Sequence, residues 1–492
     1  MVKTISEHPP MFFLSPKDLV DRTLRVDVYH YHPRYMKIMG LIERARAHHY
    51  QVERLGEVTR ITRILGFETE KLVRYVDRGV PYLRVQNIKE FRIDLTNVKR
   101  ISLDAHKKLK RSQLRPNDVV LTITGRVGTA AVVPSTVGEC NASQEIVRIR
   151  VKEEVIDPNY VAVYLNSEFG KRLLERWYTG SSTRASRTLI KNVRRIPIII
   201  PTKEIQTQIV DKVMLLKQRR NTKLLEADSY FRKALEVLQE GYRSIYKILG
   251  IKSQPIDSET IFVLPKEKLS NRFDVGFYSN ENKYSLQSKF PIKKMGEIVE
   301  FSDETTIPRK KPLSKFRYVQ IQNVDPESGK IVSYTELLGK YAPSRARKII
   351  RQGDIITAMA GSATGTPHHS TAIVTEEFDG YVASTGFGVL KPKERIDIFF
   401  VYFMLRSGYI LDEIRRRLTG AAIPAITKSE FKRIEIPVPS LHIQNEIVSI
   451  MNRFIKKSER LKLRAKNLIK GATELDRKAE REMRKALSIE TN

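Results

Sequence analysis

The chain has 492 residues, 41% of them hydrophobic, with 88 Lys and Arg against 56 Asp and Glu and a formal net charge of +32. That length exceeds one ordinary core and predicts two domains with connecting elements, and the apolar content excludes wholesale disorder. The positive charge points to a polyanionic partner, nucleic acid first. No apolar run approaches the roughly 20 residues of a membrane span, and residues 1–10 lack the apolar core of a signal peptide, so a cytoplasmic location is expected.

In chain order, Arg25, Asp27 and Tyr31 form a first pattern that no element assignment explains. Tyr82-Leu-Arg-Val-Gln-Asn-Ile88 then reads as a strand. The β-branched runs 119–123, 130–133 and 145–151, punctuated by Gly and Pro, predict a mixed sheet. Cys140 is the single cysteine, which excludes an internal disulfide and a Cys-based zinc site; it is expected to be a small buried apolar residue. Asp157-Pro158 opens a helical stretch with Val161, Tyr164, Leu165, Phe169, Leu173, Leu174 and Trp177 at helical spacing, ended by Gly180, with Trp177 in the core. After Pro201 the apolar spacing becomes threes and fours through Ile205, Ile209, Val213, Leu216, Leu224, Ala227, Phe231, Leu235, Leu238 and Tyr242, a long helix with a narrow seam.

The second half repeats the first at an offset of about 240 residues, far longer than a solenoid unit. Arg272, Asp274 and Tyr278 echo the first pattern, Tyr318-Val-Gln-Ile-Gln-Asn-Val324 echoes the strand, and Gly353-Asp-Ile-Ile-Thr-Ala-Met-Ala-Gly361 echoes Asn117-Asp-Val-Val-Leu-Thr-Ile-Thr-Gly125. Lys432-Arg-Ile-Glu-Ile-Pro-Val-Pro439 with Ile443, Gln444, Ile447 and Val448 matches Arg194-Arg-Ile-Pro-Ile-Ile-Ile-Pro201 with Ile205, Gln206, Ile209 and Val210. A second seam follows through Ile443, Ile447, Met451, Phe454, Leu461, Ala465, Leu468, Ala472, Leu475 and Met483. Arg220 and Ser458 interrupt the two seams at equivalent places, where a polar residue fixes register.

The expected architecture is α+β: a tandem duplication of two mixed-sheet domains, residues 1–201 and 251–439, each followed by a long helix, 202–250 and 440–492. Pseudo-twofold symmetry makes the two helices antiparallel partners. About 45 helical residues span on the order of 65 Å, so the pair is expected to act as a ruler between the domains.

No catalytic signature survives inspection. Gly361-Ser-Ala-Thr-Gly-Thr366 lacks the lysine of a phosphate loop. Asp157-Pro-Asn-Tyr160 resembles an amino-methyltransferase tetrapeptide but has Asn third, with no Gly-rich fingerprint before it; it reads as a helix start. His48-His49 and His368-His369 are adjacent pairs whose side chains diverge, without a nearby acidic or Cys set, so no metal site is expected.

What remains are loops of small polar and basic residues at matched places. Thr124, Gly125 and Arg126 stand against Gly361, Ser362 and Thr364, and Ser181, Ser182, Thr183, Arg184 and Arg187 stand against Thr419. Glycines let backbone N–H groups approach phosphate, and Arg clamps phosphate or reads a guanine edge. The alternative is that the glycines only make tight turns and the arginines only solvate them. Lys99, Arg100, Arg345, Arg347, His368 and Lys428 complete the candidate DNA contacts. Gln86-Asn87 and Gln322-Asn323 have the chemistry to read adenine, but amides repeated at one position favour a backbone contact specific to the fold.

The ordered pair of Tyr-x-x-x-Gln-Asn strands, Asp-Val/Ile strands entering Gly loops, Thr-Gly loops after a helix, and proline exits into Gln-containing helices resembles the specificity subunits of type I restriction-modification systems, over nearly the whole chain. The resemblance implies two target recognition domains joined by an antiparallel coiled coil, reading a bipartite asymmetric site in double-stranded DNA. It implies a non-catalytic chain that binds no cofactor itself, serving two methyltransferase subunits that carry S-adenosylmethionine and restriction subunits that use ATP and Mg. Pro197 against Glu435, the insertion Pro367-His368-His369, and the N-terminal stretch depart from the family pattern, leaving a related methylation-based defence system open. A fused nuclease or methyltransferase, and a nucleic-acid scaffold without sequence choice, are the alternatives from other classes.

Overall fold

A computed structural model describes residues 33–63, 73–176, 190–253, 284–420, 422–487 and 489. The chain divides into two compact units, residues 1–227 with 467–492, and residues 228–466. Both boundaries fall inside long helices, Lys203–Leu249 and Leu441–Ala486, so each helix contributes one part to each unit.

In the first unit a four-stranded antiparallel sheet runs in the order Ala130–Val132, Val119–Thr122, Ile146–Val151, Thr59–Arg63. A five-stranded mixed sheet orders Tyr75–Val76, Lys99–Ile101, Val80–Leu83, Cys140–Ala142 and Gln113–Leu114, with the Val80–Leu83 and Cys140–Ala142 pair parallel. Val119–Thr122 is buried on both faces: Val119 and Leu121 join the cluster beneath the helices, and Val120 joins the cluster shared with the second sheet. A near-continuous apolar run is what such a two-sided position requires. Cys140 lies in that second cluster, fully buried, and burial pushes its thiol up to about 12.

Asp157 caps the helix Pro158–Asn166, its carboxylate accepting from the N–H groups of Asn159 at 2.7 Å and Tyr160 at 3.0 Å, with Pro158 in the first turn. The single helix predicted onward from here is instead two. A second, Glu168–Glu175, starts at Ser167, whose hydroxyl accepts from Gly170 N–H at 3.4 Å. The break rests on Gly170, where a Cβ would lie 2.4 Å from Leu165 Cα. Apolar spacing survives such a break, so the pattern alone conceals it. Trp177 and Gly180 lie outside the described residues.

The second unit rebuilds this plan from different residues. One antiparallel sheet orders Val299–Phe301, Phe387–Pro392, Ile355–Ala358 and Thr371–Ile373. The other orders Thr335–Leu338, Lys315–Val319, Val382–Ser384 and Ala346–Ile349, again with its central pair parallel. Helices Ile398–Leu405 and Gly408–Arg416 break at Ser407, whose hydroxyl accepts from Ile410 N–H at 3.3 Å.

The repeated glutamines explain themselves at the start of each long helix. Gln206, 1% exposed, accepts the Asp157 N–H at 2.8 Å and donates to the Pro201 carbonyl at 2.9 Å. Gln444, equally buried, accepts the Asp397 N–H at 2.8 Å and donates to the Pro439 carbonyl at 2.9 Å. Each amide thus ties the helix-capping aspartate of its own domain to the proline exit and the long helix.

The long helices pair antiparallel within each unit. In the first, Lys212 meets Glu482 at 3.2 Å, and Asp476 meets Lys217 at 2.7 Å and Arg220 at 3.1 Å. In the second, the buried Ser458 hydroxyl donates to the Ala234 carbonyl at 2.9 Å, and a Cβ on Gly241 would sit 3.0 Å from Phe454 Cβ. The seam is built on small residues at seven-residue steps, Ala227, Ala234 and Gly241 on one helix and Ser458, Ala465, Ala472 and Ala479 on the other. Leu235, expected in the seam, is 52% exposed, with Ala234 and Val237 buried in its place. A count of large apolar residues misses a seam whose close contacts depend on small ones.

Replacing Gln206 with Ala is expected to leave the part-buried Asp157 N–H without its partner and cost about 1–3 kcal/mol. Chemical denaturation followed by circular dichroism measures this, and a change below about 0.5 kcal/mol, the range of ordinary surface substitutions, would contradict the tie.

Candidate nucleic-acid interface

In the first unit the strand Val119–Thr122 runs into a loop held from within. The Thr122 hydroxyl donates to the Arg126 carbonyl and accepts the Thr129 N–H at 3.1 Å, and the Gly128 N–H donates to the Thr122 carbonyl at 2.9 Å. Gly125 at φ 65° and Gly128 at φ 92° supply the left-handed turns, and a Cβ on Gly128 would meet Leu174 at 3.2 Å. The result presents Gly125 and Arg126 to solvent, with Thr124 half-buried beside them.

The matched loop of the second unit is fastened to a segment far away in sequence. Gly361 N–H donates to the Pro424 carbonyl at 2.9 Å, and Thr419 and Ala425 exchange backbone hydrogen bonds at 2.8 and 2.9 Å. The two loops picked from sequence therefore meet: Ser362 and Thr419 are exposed, while Thr364 is 2% exposed with its hydroxyl unpartnered among the described residues. Gly365, at φ 72°, lies against the helix Gly408–Arg416, where a Cβ would be 2.9 Å from Arg415 Cα.

The inserted histidines have separate fates. His368 is exposed, whereas His369 is buried beneath the loop, its Nδ1 accepting the Gly365 N–H at 3.1 Å and its Nε2 lying 2.8 Å from the Thr357 hydroxyl. Thr357 in turn contacts the Thr371 hydroxyl at 2.8 Å. Since Nδ1 accepts, the proton belongs on Nε2, pointing at Thr357. Burial first, and the charge of Arg406 second, hold this imidazole down to about 4. Among the described residues no group of three or more His, Cys, Asp and Glu side chains is placed to hold a metal.

The other sequence candidates divide by occupation. Lys99 is exposed with its ammonium 5.8 Å from the ring of Tyr75. Arg126 and Arg345 are exposed. Arg100 donates to the Gly79 carbonyl at 2.8 Å, Arg347 to the Ser344 carbonyl at 3.1 Å, and Lys428 pairs with Asp303 at 3.2 Å, so each of these has a structural partner. Ser181, Ser182, Thr183, Arg184 and Arg187 lie outside the described residues, as do Arg25, Asp27, Tyr31, Arg272, Asp274 and Tyr278.

Sequence reasoning missed two aromatic groups. Tyr75 is 51% exposed between Lys99 and Arg84, whose guanidinium lies 5.9 Å from the ring. In the second unit Arg317 stacks on Tyr334 at 5.5 Å and Tyr381 at 5.2 Å. The dipeptide Arg74-Tyr75 was the available signal for the first, whereas the second joins residues far apart in sequence, which no local pattern marks. The repeated amide pair also splits: Asn87 and Asn323 are buried, accepting the backbone N–H of Arg84 at 3.0 Å and Gln320 at 2.8 Å, while Gln86 and Gln322 face solvent.

A family model for the type I restriction modification DNA specificity domain matches residues 48–226 and 287–470. The type I restriction enzyme EcoBI specificity subunit of Escherichia coli is 27% identical over 137 residues, 27% of this chain and 28% of that protein, so the match spans under a third of the relative's length. A chain solved in work on complex assembly and conformational transition of the type I R-M system has a TM-score of 0.55 at 16% identity, covering 89% of this chain and 97% of that one, and shares its fold. The HsdS subunit from Thermoanaerobacter tengcongensis scores 0.43 at 18% identity, covering 89% of this chain and 96% of that one.

Acid should loosen the His369-held loop. The unfolded imidazole titrates near the ordinary 6.5 and the folded one near about 4, so the contribution is complete above 6.5 and is lost as pH falls from 6.5 toward about 4. Amide exchange at Gly365, corrected for intrinsic rate, is expected to rise across that window in the native chain. A flat profile would remove the role assigned to His369.

Proposed function

The chain belongs to the type I restriction modification DNA specificity domain family, and from that premise we propose that it is the non-catalytic subunit that reads a bipartite, asymmetric DNA sequence for a type I restriction-modification complex. The observation that carries this reading is one scaffold built twice around unlike loops. The Gln206 and Gln444 ties, the Asn87 and Asn323 turns and the helix breaks at Ser167 and Ser407 recur. The loops between the paired strands, residues 123–129 and 359–370, differ in length, glycine placement and fastening. Two readers of different half-sites need the same support and different contact surfaces.

In this reading the exposed Arg126, Lys99, Tyr75 and Gln86 serve the first half-site, and Ser362, His368, Thr419 and Gln322 serve the second. Phosphate contacts set position, and groove contacts by Arg and Gln select guanine and adenine. Two methyltransferase subunits bearing S-adenosylmethionine and restriction subunits using ATP and Mg supply the chemistry, in the cytoplasm. Among the described residues, no helix is long and apolar enough to cross a membrane.

Selection from a pool of random duplexes by the full chain with its methyltransferase subunits is expected to enrich one split motif at least about a thousandfold over unrelated sequence at physiological salt. Substituting Arg126 with Ala should relax only one half of that motif. A pool that stays unenriched would leave the chain a scaffold without sequence choice, and methyl transfer by the chain alone would make it an enzyme.

A further inference from the structure

The first unit holds a cleft that the loops above do not form. About 770 Å³ in volume, it is lined by Arg60, Arg111, Arg150, Lys152 and Arg194, with Glu57 the one acid among its lining side chains. Arg60 and Arg150 lie directly opposite each other on paired strands, a like-charge arrangement that destabilises a sheet. Arg150 has Asp118 at 2.6 Å, and Arg194 is braced by donating to the Ile61 carbonyl at 3.0 Å. Among the described residues Arg60, Arg111 and Lys152 have no ion-pair partner, and all three are exposed. Neighbouring Arg148 is held below its ordinary range by burial first and by the charge of Arg150 second, which records the positive potential there.

The second unit settles what the scaffold itself demands at this place. Its corresponding strands put Glu300 opposite Lys391, an attractive pair in the same register position, and Arg351 is bound by Glu304 at 3.1 Å. The fold therefore tolerates, and in one copy uses, an acid where the other has Arg60. The repulsive arrangement is particular to the first unit and calls for a counterion of its own.

We propose that this cleft binds phosphates of the DNA backbone, giving the first unit a sequence-independent contact outside its recognition loops. The inference rests on the DNA-reading function proposed above but involves residues outside the recognition loops. A polyphosphate chain suits several cations spread along an open cleft better than a small anion does, because each phosphate neutralises one side chain in turn. The cleft lies toward the Val119 end of its sheet, since Arg150 follows the Ile149 that pairs with Val119, whereas the Gly125 loop leaves the Thr122 end. Its phosphates thus belong to a stretch of backbone other than the one at that loop.

The test is the salt dependence of binding by the full chain to a duplex of unrelated sequence. Arg60→Glu installs the second unit's charge pattern, so the folded chain is expected to be no less stable to heat. The slope of log affinity against log salt should nevertheless fall by about one unit or more. Lys152→Gln, at an exposed position, should lower it by about one unit and guards against a folding defect in the first variant. An unchanged slope in both variants overturns the proposal, as does a loss confined to the preferred sequence, which would make these side chains base readers. An unchanged DNA slope with lost binding of a polyglutamate probe also overturns it, in favour of an acidic protein segment. If the unsubstituted chain shows no sequence preference, the DNA-reading function fails while the altered slope still supports the cleft.

Discussion

The structure depends on a buried amide at the root of each long helix. A glutamine side chain in an apolar setting is costly unless its groups are paired, and Gln206 and Gln444 meet that condition with the same two short bonds. One bond holds the N–H of the aspartate that caps the domain's helix, and the other holds the proline carbonyl at the end of the exit strand. Domain, exit and long helix are therefore fixed to one another by a group that cannot rotate without stranding a donor and an acceptor. Everything proposed for the loops presupposes that their support is rigid, and these amides are a principal reason it is.

A rigid support frees the loops to vary. In the first unit the Gly loop closes on itself through the Thr122 hydroxyl, and in the second it is fastened from outside by Pro424 and from beneath by His369. The pair facing each other under the loop changes with it, from Leu121 and Ala130 to Thr357 and Thr371. Polar residues enter that position where a histidine needs a hydrogen-bond partner, and apolar ones remain where none is present. Variation between the copies is thus concerted: an inserted segment brings the buried groups that satisfy it.

The duplication, the sheets and the paired helices were legible because they rest on repetition and periodicity, which survive without coordinates, although the runs expected to build a mixed sheet form the antiparallel one and the parallel pair lies in the other sheet. The capping role of Asp157 was legible too, since Asp-Pro before an apolar stretch has a local cause. The helix break at Ser167 was not, because Gly170 acts through a contact with Leu165 that leaves the apolar spacing intact. The seam through Ala234 and Gly241 was misplaced onto Leu235 because small residues carry little hydrophobic signal, although they decide how closely two helices approach. At the loops, residue type identified exposed Arg126 and Lys99. It could not tell them from Arg100 and Arg347, whose partners are carbonyls of the same domain. His369 escaped for a related reason: as half of an adjacent pair it was weighed only for metal binding, which was not expected, when its task is to receive one backbone N–H.

The two charge patterns also bear on how affinity and selectivity separate in a protein with this much positive charge. Cations that meet phosphate raise binding to every sequence equally, so they add nothing to the ratio between right and wrong sites. That ratio comes from groups that leave a base edge unpaired when the sequence is wrong, which suits the few exposed Arg and Gln side chains at the loops. A chain with a net charge of +32 risks holding all DNA strongly. The second unit's acids, Glu300 opposite Lys391 and Glu304 on Arg351, reduce that risk on their side by satisfying cations internally. The first unit adds the cations of its cleft to the contacts of its own loop, so that general attraction and sequence choice are served by different side chains on different parts of one fold.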